Sequence, residues 1–196
     1  DSGSLIDDQP RDIFNRRLSR GRSDYDVRHR FVLSGTWALP GGGDGPVGWL
    51  ARDWQVNGIF TARTGFPFTV AARGDICNCA AADQTAEQIG DPWSGEVRTR
   101  ERWFNTAAFT NPAPGRLGSS GRNILSGPGE QTVNASLFRS FRLAETVRLQ
   151  FRAESFNLAN HTNFSLPNAQ VDNPNIGVIQ GAASARTIQF ALKLIY

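Results

Sequence analysis

The stretch from Arg186 to Tyr196 alternates without a break. Ile188, Phe190, Leu192, Leu194 and Tyr196 fall on one side, and Thr187, Gln189, Ala191 and Lys193 fall on the other. Side chains of a strand point in turn to opposite faces, so this segment has one oily face and one mostly wet face. The oily face ends on an aromatic ring, with no polar residue after it. A strand in a soluble sheet can alternate in the same way. A strand in the wall of an outer-membrane barrel has a further reason to finish so, because aromatic rings sit at the membrane interface.

The rest of the composition narrows the choice. No stretch approaches the ~20 apolar residues of a membrane-spanning helix, which excludes a helical membrane protein. The 20 Gly and 10 Pro suit strands, turns and long loops, and 13 Phe with 5 Trp is a heavy aromatic load for a chain only 39% hydrophobic. The net charge of +3 and the pI of about 9.4 come mostly from Arg. Those Arg residues are scattered rather than gathered into a basic block, which argues against a nucleic-acid partner. The chain has no Met, and Asp1 to Arg22 contains no hydrophobic run. It is therefore read as a processed or partial piece whose amino-terminal portion lies elsewhere.

Five strands are expected, at about 27–39, 53–70, 131–143, 147–158 and 186–196. In the first, Phe31, Leu33, Gly35, Trp37 and Leu39 share a face. In the second, Trp54, Val56, Phe60 and Ala62 do so, with Gly65 and Pro67 weakening the far end. Val133, Ala135, Leu137 and Phe141 line the third, and Val147, Leu149, Phe151 and Ala153 the fourth. Residues 1–24 read as the remnant of a loop and 25–196 as barrel. The connections alternate: a Gly-rich link from Pro40 to Pro46, a long irregular stretch from Ala71 to Glu130, a tight turn at Ala144 to Thr146, and a second irregular stretch from Ala159 to Ala185. Bacterial barrels alternate in this way, with short periplasmic turns and long extracellular loops. The same threading puts Trp37, Trp54, Phe141 and Tyr196 at a periplasmic girdle, and Phe31, Phe66, Phe68 and Phe156 toward an outer one.

The expected fold class is thus all-β: an antiparallel meander forming the last strands of a transmembrane outer-membrane barrel. Phe31, Leu33, Trp37, Val56, Phe60, Val133, Leu137, Phe141, Leu149 and Phe151 are expected to face lipid. Arg148, Arg152, Glu154, Gln189 and Lys193 are expected to face the lumen, because a Lys or Arg at the bilayer midplane costs about 2–4 kcal/mol on the lipid side.

With the strands in place, several stretches carry a family resemblance. They are Asp26-Val-Arg-His-Arg-Phe-Val-Leu-Ser-Gly-Thr-Trp, Thr64-Gly-Phe-Pro-Phe, Trp103-Phe-Asn-Thr-Ala-Ala-Phe and Gly121-Arg-Asn-Ile-Leu-Ser-Gly-Pro-Gly. Leu149-Gln-Phe-Arg-Ala-Glu-Ser-Phe-Asn-Leu-Ala-Asn-His-Thr-Asn-Phe and Ile188-Gln-Phe-Ala-Leu-Lys-Leu-Ile-Tyr complete the set. In this order they resemble the carboxy-terminal barrel of a TonB-dependent receptor, of the Oar-like type that carries a carboxypeptidase-regulatory-like domain. The resemblance implies a large monomeric barrel in the outer membrane, plugged in its lumen, with TonB contacted only through the part upstream. It also implies that the barrel-assembly machinery reads the terminal strand, on the face formed by Ile188, Phe190, Leu192, Leu194 and Tyr196. The ligands of such receptors are diverse, and nothing in the residues selects one.

Other chemistry has little support. His29 and His161 have no nucleophile at a useful spacing, and Gly118-Ser-Ser-Gly121 is not a nucleophile elbow. Gly41-Gly-Gly-Asp-Gly45 lacks the Lys and Ser/Thr of a phosphate loop. Asp172-Asn-Pro-Asn175 lacks the EF-hand spacing. Cys77-Asn-Cys79 is short of the four ligands zinc takes, leaving two loop thiols or a small local disulfide. No enzyme activity and no cofactor are expected. Two alternatives stand beside the receptor: a passive structural or adhesive outer-membrane barrel, and a soluble all-β domain binding a carbohydrate or partner.

Overall fold

The computed structural model describes residues 15–41, 45–79 and 83–196. The chain divides into two compact units. Among the described residues, one comprises residues 29–41, 45–63, 130–163 and 183–196; the other comprises residues 15–28, 64–79, 83–129 and 164–182.

The first unit is a five-stranded antiparallel sheet. Its strands are β1 (Arg30–Ala38), β2 (Gln55–Arg63), β9 (Glu130–Arg142), β10 (Arg148–Phe156) and β11 (Thr187–Ile195), in the order β1-β2-β9-β10-β11. β-branched and aromatic residues at alternate positions suit a pleated surface with two unlike faces. The hairpin between β9 and β10 closes where the Leu143 and Ala144 amides donate to the Val147 carbonyl, at 2.9 and 3.1 Å.

The link between β1 and β2 is more than a turn. Residues 42–44 of its Gly-rich run lie outside the described residues, but Pro46–Ala51 forms a short helix, α1, with Pro46 in its first turn. Proline suits that position, where its missing N–H is not needed.

The connection from Phe156 to β11 is fastened to the sheet by asparagine side chains. The Asn163 amide donates to the Gln131 carbonyl at 2.9 Å, and Asn163 Oδ1 accepts from the Gln131 N–H at 2.8 Å. A side chain thus copies the paired bonds of a neighbouring strand. Asn157, at φ +52°, donates to the His161 carbonyl at 2.9 Å and accepts from the His161 N–H at 3.0 Å. Asparagine tolerates this left-handed conformation better than most residues.

The second unit corrects the expectation of irregular loops. It holds three small antiparallel pairs: β3 (Pro67–Phe68) with β8 (Leu125–Ser126), β4 (Ala71–Arg73) with β5 (Asp83–Thr85), and β6 (Glu87–Gln88) with β7 (Phe109–Thr110). It also has its own core of Phe68, Val70, Ala86, Phe104, Ala108, Phe109 and Leu125. The strand expected over 53–70 accordingly ends at Arg63. At Gly65 the backbone comes so close to residue 127 that a Cβ would lie 1.9 Å from the Gly127 carbonyl oxygen. The Gly127 N–H donates to the Phe66 carbonyl at 2.8 Å, and the chain then pairs with β8 instead of continuing along β9. Phe68, expected at an outer girdle, is buried in this core, where its ring lies 5.8 Å from that of Phe104. Phe156 is displaced from the same girdle, because it stands opposite Thr187 on the polar face of the sheet.

Within the second unit, Asn123 ties the stretch around residue 123 to the residues before β1. It is buried at φ +54°, and its amide donates to the Arg22 carbonyl at 2.7 Å and to Asp24. Its own N–H donates to Thr69 Oγ1 at 2.9 Å, and its carbonyl accepts from Arg22 Nε at 2.9 Å.

Candidate functional site

The register decides what each face of the sheet presents. Directly opposed residues of an antiparallel pair share a face. Trp37 opposes Val56, Val56 opposes Leu137, Leu137 opposes Ala153 and Ala153 opposes Phe190, an apolar row that crosses all the strands. The rows beside it are of the same kind, save for Arg139 opposite Phe151: Leu33, Phe60 and Val133; Phe151 and Leu192; Phe141, Leu149 and Leu194. Phe31 and Ile188 lie on this face as well, so the residues expected to face lipid come together in one surface. Tyr196 follows β11 and is exposed.

This surface is uncovered at its flanks. Phe190 is 71% exposed, Leu192 69%, Trp37 64% and Leu33 61%. A contiguous apolar patch of this kind marks a surface that meets a partner or a membrane.

The opposite face carries the charged residues and is otherwise mixed, with Val32, Ile59, Phe138, Phe156 and Ile195 among its polar side chains. Arg148, Arg152, Glu154, Gln189 and Lys193 lie on it, joined by Arg30, Arg63, Glu130 and Arg142. One of its rows carries hydrogen bonds between opposed side chains. Thr36 Oγ1 donates to Asn57 Oδ1 at 2.8 Å, Asn57 Nδ2 donates to Ser136 Oγ at 3.0 Å, and Gln189 donates to Glu154 at 2.5 Å. Arg152 pairs with Glu154 at 3.6 Å.

The family model of the outer membrane beta barrel domain matches residues 1–189. The chain belongs to this family. No curated protein and no solved structure matches it. Membership places the barrel domain in the bacterial outer membrane and sets aside the soluble all-β alternative. No helix among the described residues is long and apolar enough to cross a membrane. In such a barrel the strands do so, because each backbone group then finds its partner on a neighbouring strand.

One residue of the barrel domain escapes the alternation pattern. Arg139 stands opposite Phe151 on the apolar face, and it is the one charged residue that the described strands place there. It is only 2% exposed. Its guanidinium donates from Nη2 to the Trp49 carbonyl and from Nη1 to the Leu50 carbonyl, both in α1. Its central carbon lies 4.2 Å from the Phe141 ring centroid, 5.2 Å from that of Trp49 and 5.8 Å from that of Trp54. Trp54 Nε1 also donates to the Leu50 carbonyl, at 2.9 Å. The signal in the sequence is a skipped position: the apolar run Val133, Ala135, Leu137 resumes only at Phe141.

The other candidates resolve into local structure. Cys77 and Cys79 are joined by a disulfide, which settles the alternatives left open for them. Asp75 lies beside them, and its Oδ1 accepts from the Cys79 N–H at 2.8 Å, as a turn residue does. Disulfide sulfur offers no thiolate to a metal. In the Asp172–Asn175 turn, Asn173 Oδ1 accepts from the Asn175 N–H at 2.9 Å, and Asp172 accepts from Asn111 at 2.7 Å. His161 Nδ1 lies 3.1 Å from Asn163 Oδ1 within the asparagine network of the loop.

Proposed function

We propose that this chain is part of the barrel wall of a TonB-dependent receptor of the Oar-like type, which takes up a ligand across the outer membrane. The observation that carries the reading is the partition of charge. Apart from Arg139, the charged residues of the five strands lie on the face opposite Phe31, Leu33, Trp37, Val56, Phe60, Val133, Leu137, Phe141, Leu149 and Phe151. The apolar face is read as meeting lipid, and the polar face as lining the lumen where a plug would sit. The order of the quoted motifs favours this receptor type. Two of them, Thr64-Gly-Phe-Pro-Phe and the stretch ending Ser126-Gly-Pro-Gly129, meet at the Gly65–Gly127 contact. The two long connections leave the same end of the sheet, which is read as the cell exterior, and the tight hairpin then lies in the periplasm. The chain is assigned no catalytic role.

The test uses the whole protein that contains this sequence, reconstituted in vesicles. Its binding to the purified periplasmic domain of TonB is measured by titration calorimetry. Saturable binding is the expected result. Absence of binding, with the barrel correctly inserted, would make it a passive structural or adhesive barrel instead.

A further inference from the structure

We infer that α1, Pro46–Ala51, is a membrane-interface foot, laid over the apolar face at the hairpin end of the sheet and latched there by Arg139. It takes as its partner the phospholipid leaflet on that side, at the boundary of acyl chains and headgroups. The inference rests on the reading that the apolar face meets lipid.

Three observations lead to it. First, α1 sits on the membrane side of the sheet and not on the polar side. Trp49 packs against Phe141 with ring centroids 5.3 Å apart and ring planes tilted by 44°, and Phe141 shares the apolar face with Leu149 and Leu194. Second, the helix turns its own apolar residues outward. Val47 is 81% exposed, Leu50 55% and Trp49 44%. These side chains extend the apolar face of the strands, so the leaflet that wets the strands continues onto the helix. Tryptophan and an apolar helix face are what such a boundary selects.

Third, Arg139 makes little sense without the foot. A guanidinium on the lipid side is costly, and long cationic side chains usually escape by reaching for the interface. Arg139 is instead enclosed. It donates to the carbonyls of Trp49 and Leu50 at the end of the short helix, where no further turn supplies backbone donors; at Leu50 it shares the carbonyl with Trp54 Nε1. Its Nε has no hydrogen-bond partner, so the faces of Phe141, Trp49 and Trp54 supply the rest of its environment. The arginine thus acts through the helix, as a positioning residue that holds a lipid-seeking segment against the barrel.

The test places one fluorophore at a time on the full-length protein in phosphatidylcholine vesicles. Bimane is attached at Val47→Cys, at Leu192→Cys on the apolar strand face, or at Gln189→Cys on the polar face, in a background whose only other cysteines are the disulfide-bonded Cys77 and Cys79. Quenching is read with lipids brominated either near the headgroup or deep in the acyl chains, and with aqueous iodide. Bimane at Val47 is expected to be quenched by the shallow bromines at least twice as strongly as at Gln189, and to be shielded from iodide. If Val47 is open to iodide and untouched by bromine while Leu192 is quenched, the foot lies in water and the inference falls, with the membrane face intact. If Val47 is shielded from both quenchers, a protein covers the helix and the inference falls likewise. If Leu192 escapes the bromines too, the underlying reading of the face has failed.

Discussion

The Arg63 guanidinium donates to the Glu130 carboxylate from the directly opposed position in the β2–β9 ladder, with Nε 2.9 Å from Oε2. The pair marks the last rung before the two strands part. Both side chains keep partial exposure, so the pair is expected to couple by less than about 1 kcal/mol. A double-mutant cycle of Arg63→Ala and Glu130→Ala, by denaturant unfolding in vesicles, measures this. A coupling of several kcal/mol would mean that the ion pair, and not the apolar rows, holds the register.

Leu192 and Ala191 are adjacent in β11 but face opposite ways, Leu192 opposite Phe151 and Ala191 opposite Arg152. Leu192→Arg is expected to destabilise the inserted barrel by about 2–4 kcal/mol, the cost of a cation near the bilayer midplane. Ala191→Arg is expected to change stability far less. Equal losses in vesicle unfolding experiments would refute the assignment of faces.

Asn163 replaces a missing strand beside Gln131, accepting from its N–H and donating to its carbonyl. Asn163→Ala leaves both backbone groups without these partners in a partly buried site, at about 1–3 kcal/mol. Amide exchange at Gln131 is expected to accelerate correspondingly, while exchange at the β10–β11 pairs stays slow. Unchanged protection of Gln131 would show that the side chain is not its fastening.

Gly65 can approach the Gly127 carbonyl only because it lacks a Cβ. Gly65→Ala is expected to push the two segments apart, at a cost of about 1–3 kcal/mol typical of overpacking. Limited proteolysis of whole cells is then expected to cut within residues 64–129 faster in the variant than in the wild-type protein. A digestion pattern identical to wild type would show that the contact is dispensable.

Much of the sheet was readable from residues alone, because a period of two is a local property. Ile188, Phe190, Leu192 and Leu194 declare their common face whatever they pair with, and the same holds for Phe31, Leu33 and Trp37. The turn at Ala144 to Thr146 and the polar set from Arg148 to Lys193 follow from the same rule. Family membership in the outer membrane agrees with what that pattern implies.

Only the tertiary structure decided the remainder. The core of Phe68, Val70, Phe104, Phe109 and Leu125 joins residues far apart in sequence and has no period to betray it, so residues 71–130 looked like loop. Phe68 exchanged an interface for that core, since Gly65 must meet Gly127 before either position acquires a meaning. Arg139 needed it most. Its charge contradicts the face on which it stands until α1, six residues long and too short to show helical periodicity, brings the carbonyls of Trp49 and Leu50 over it.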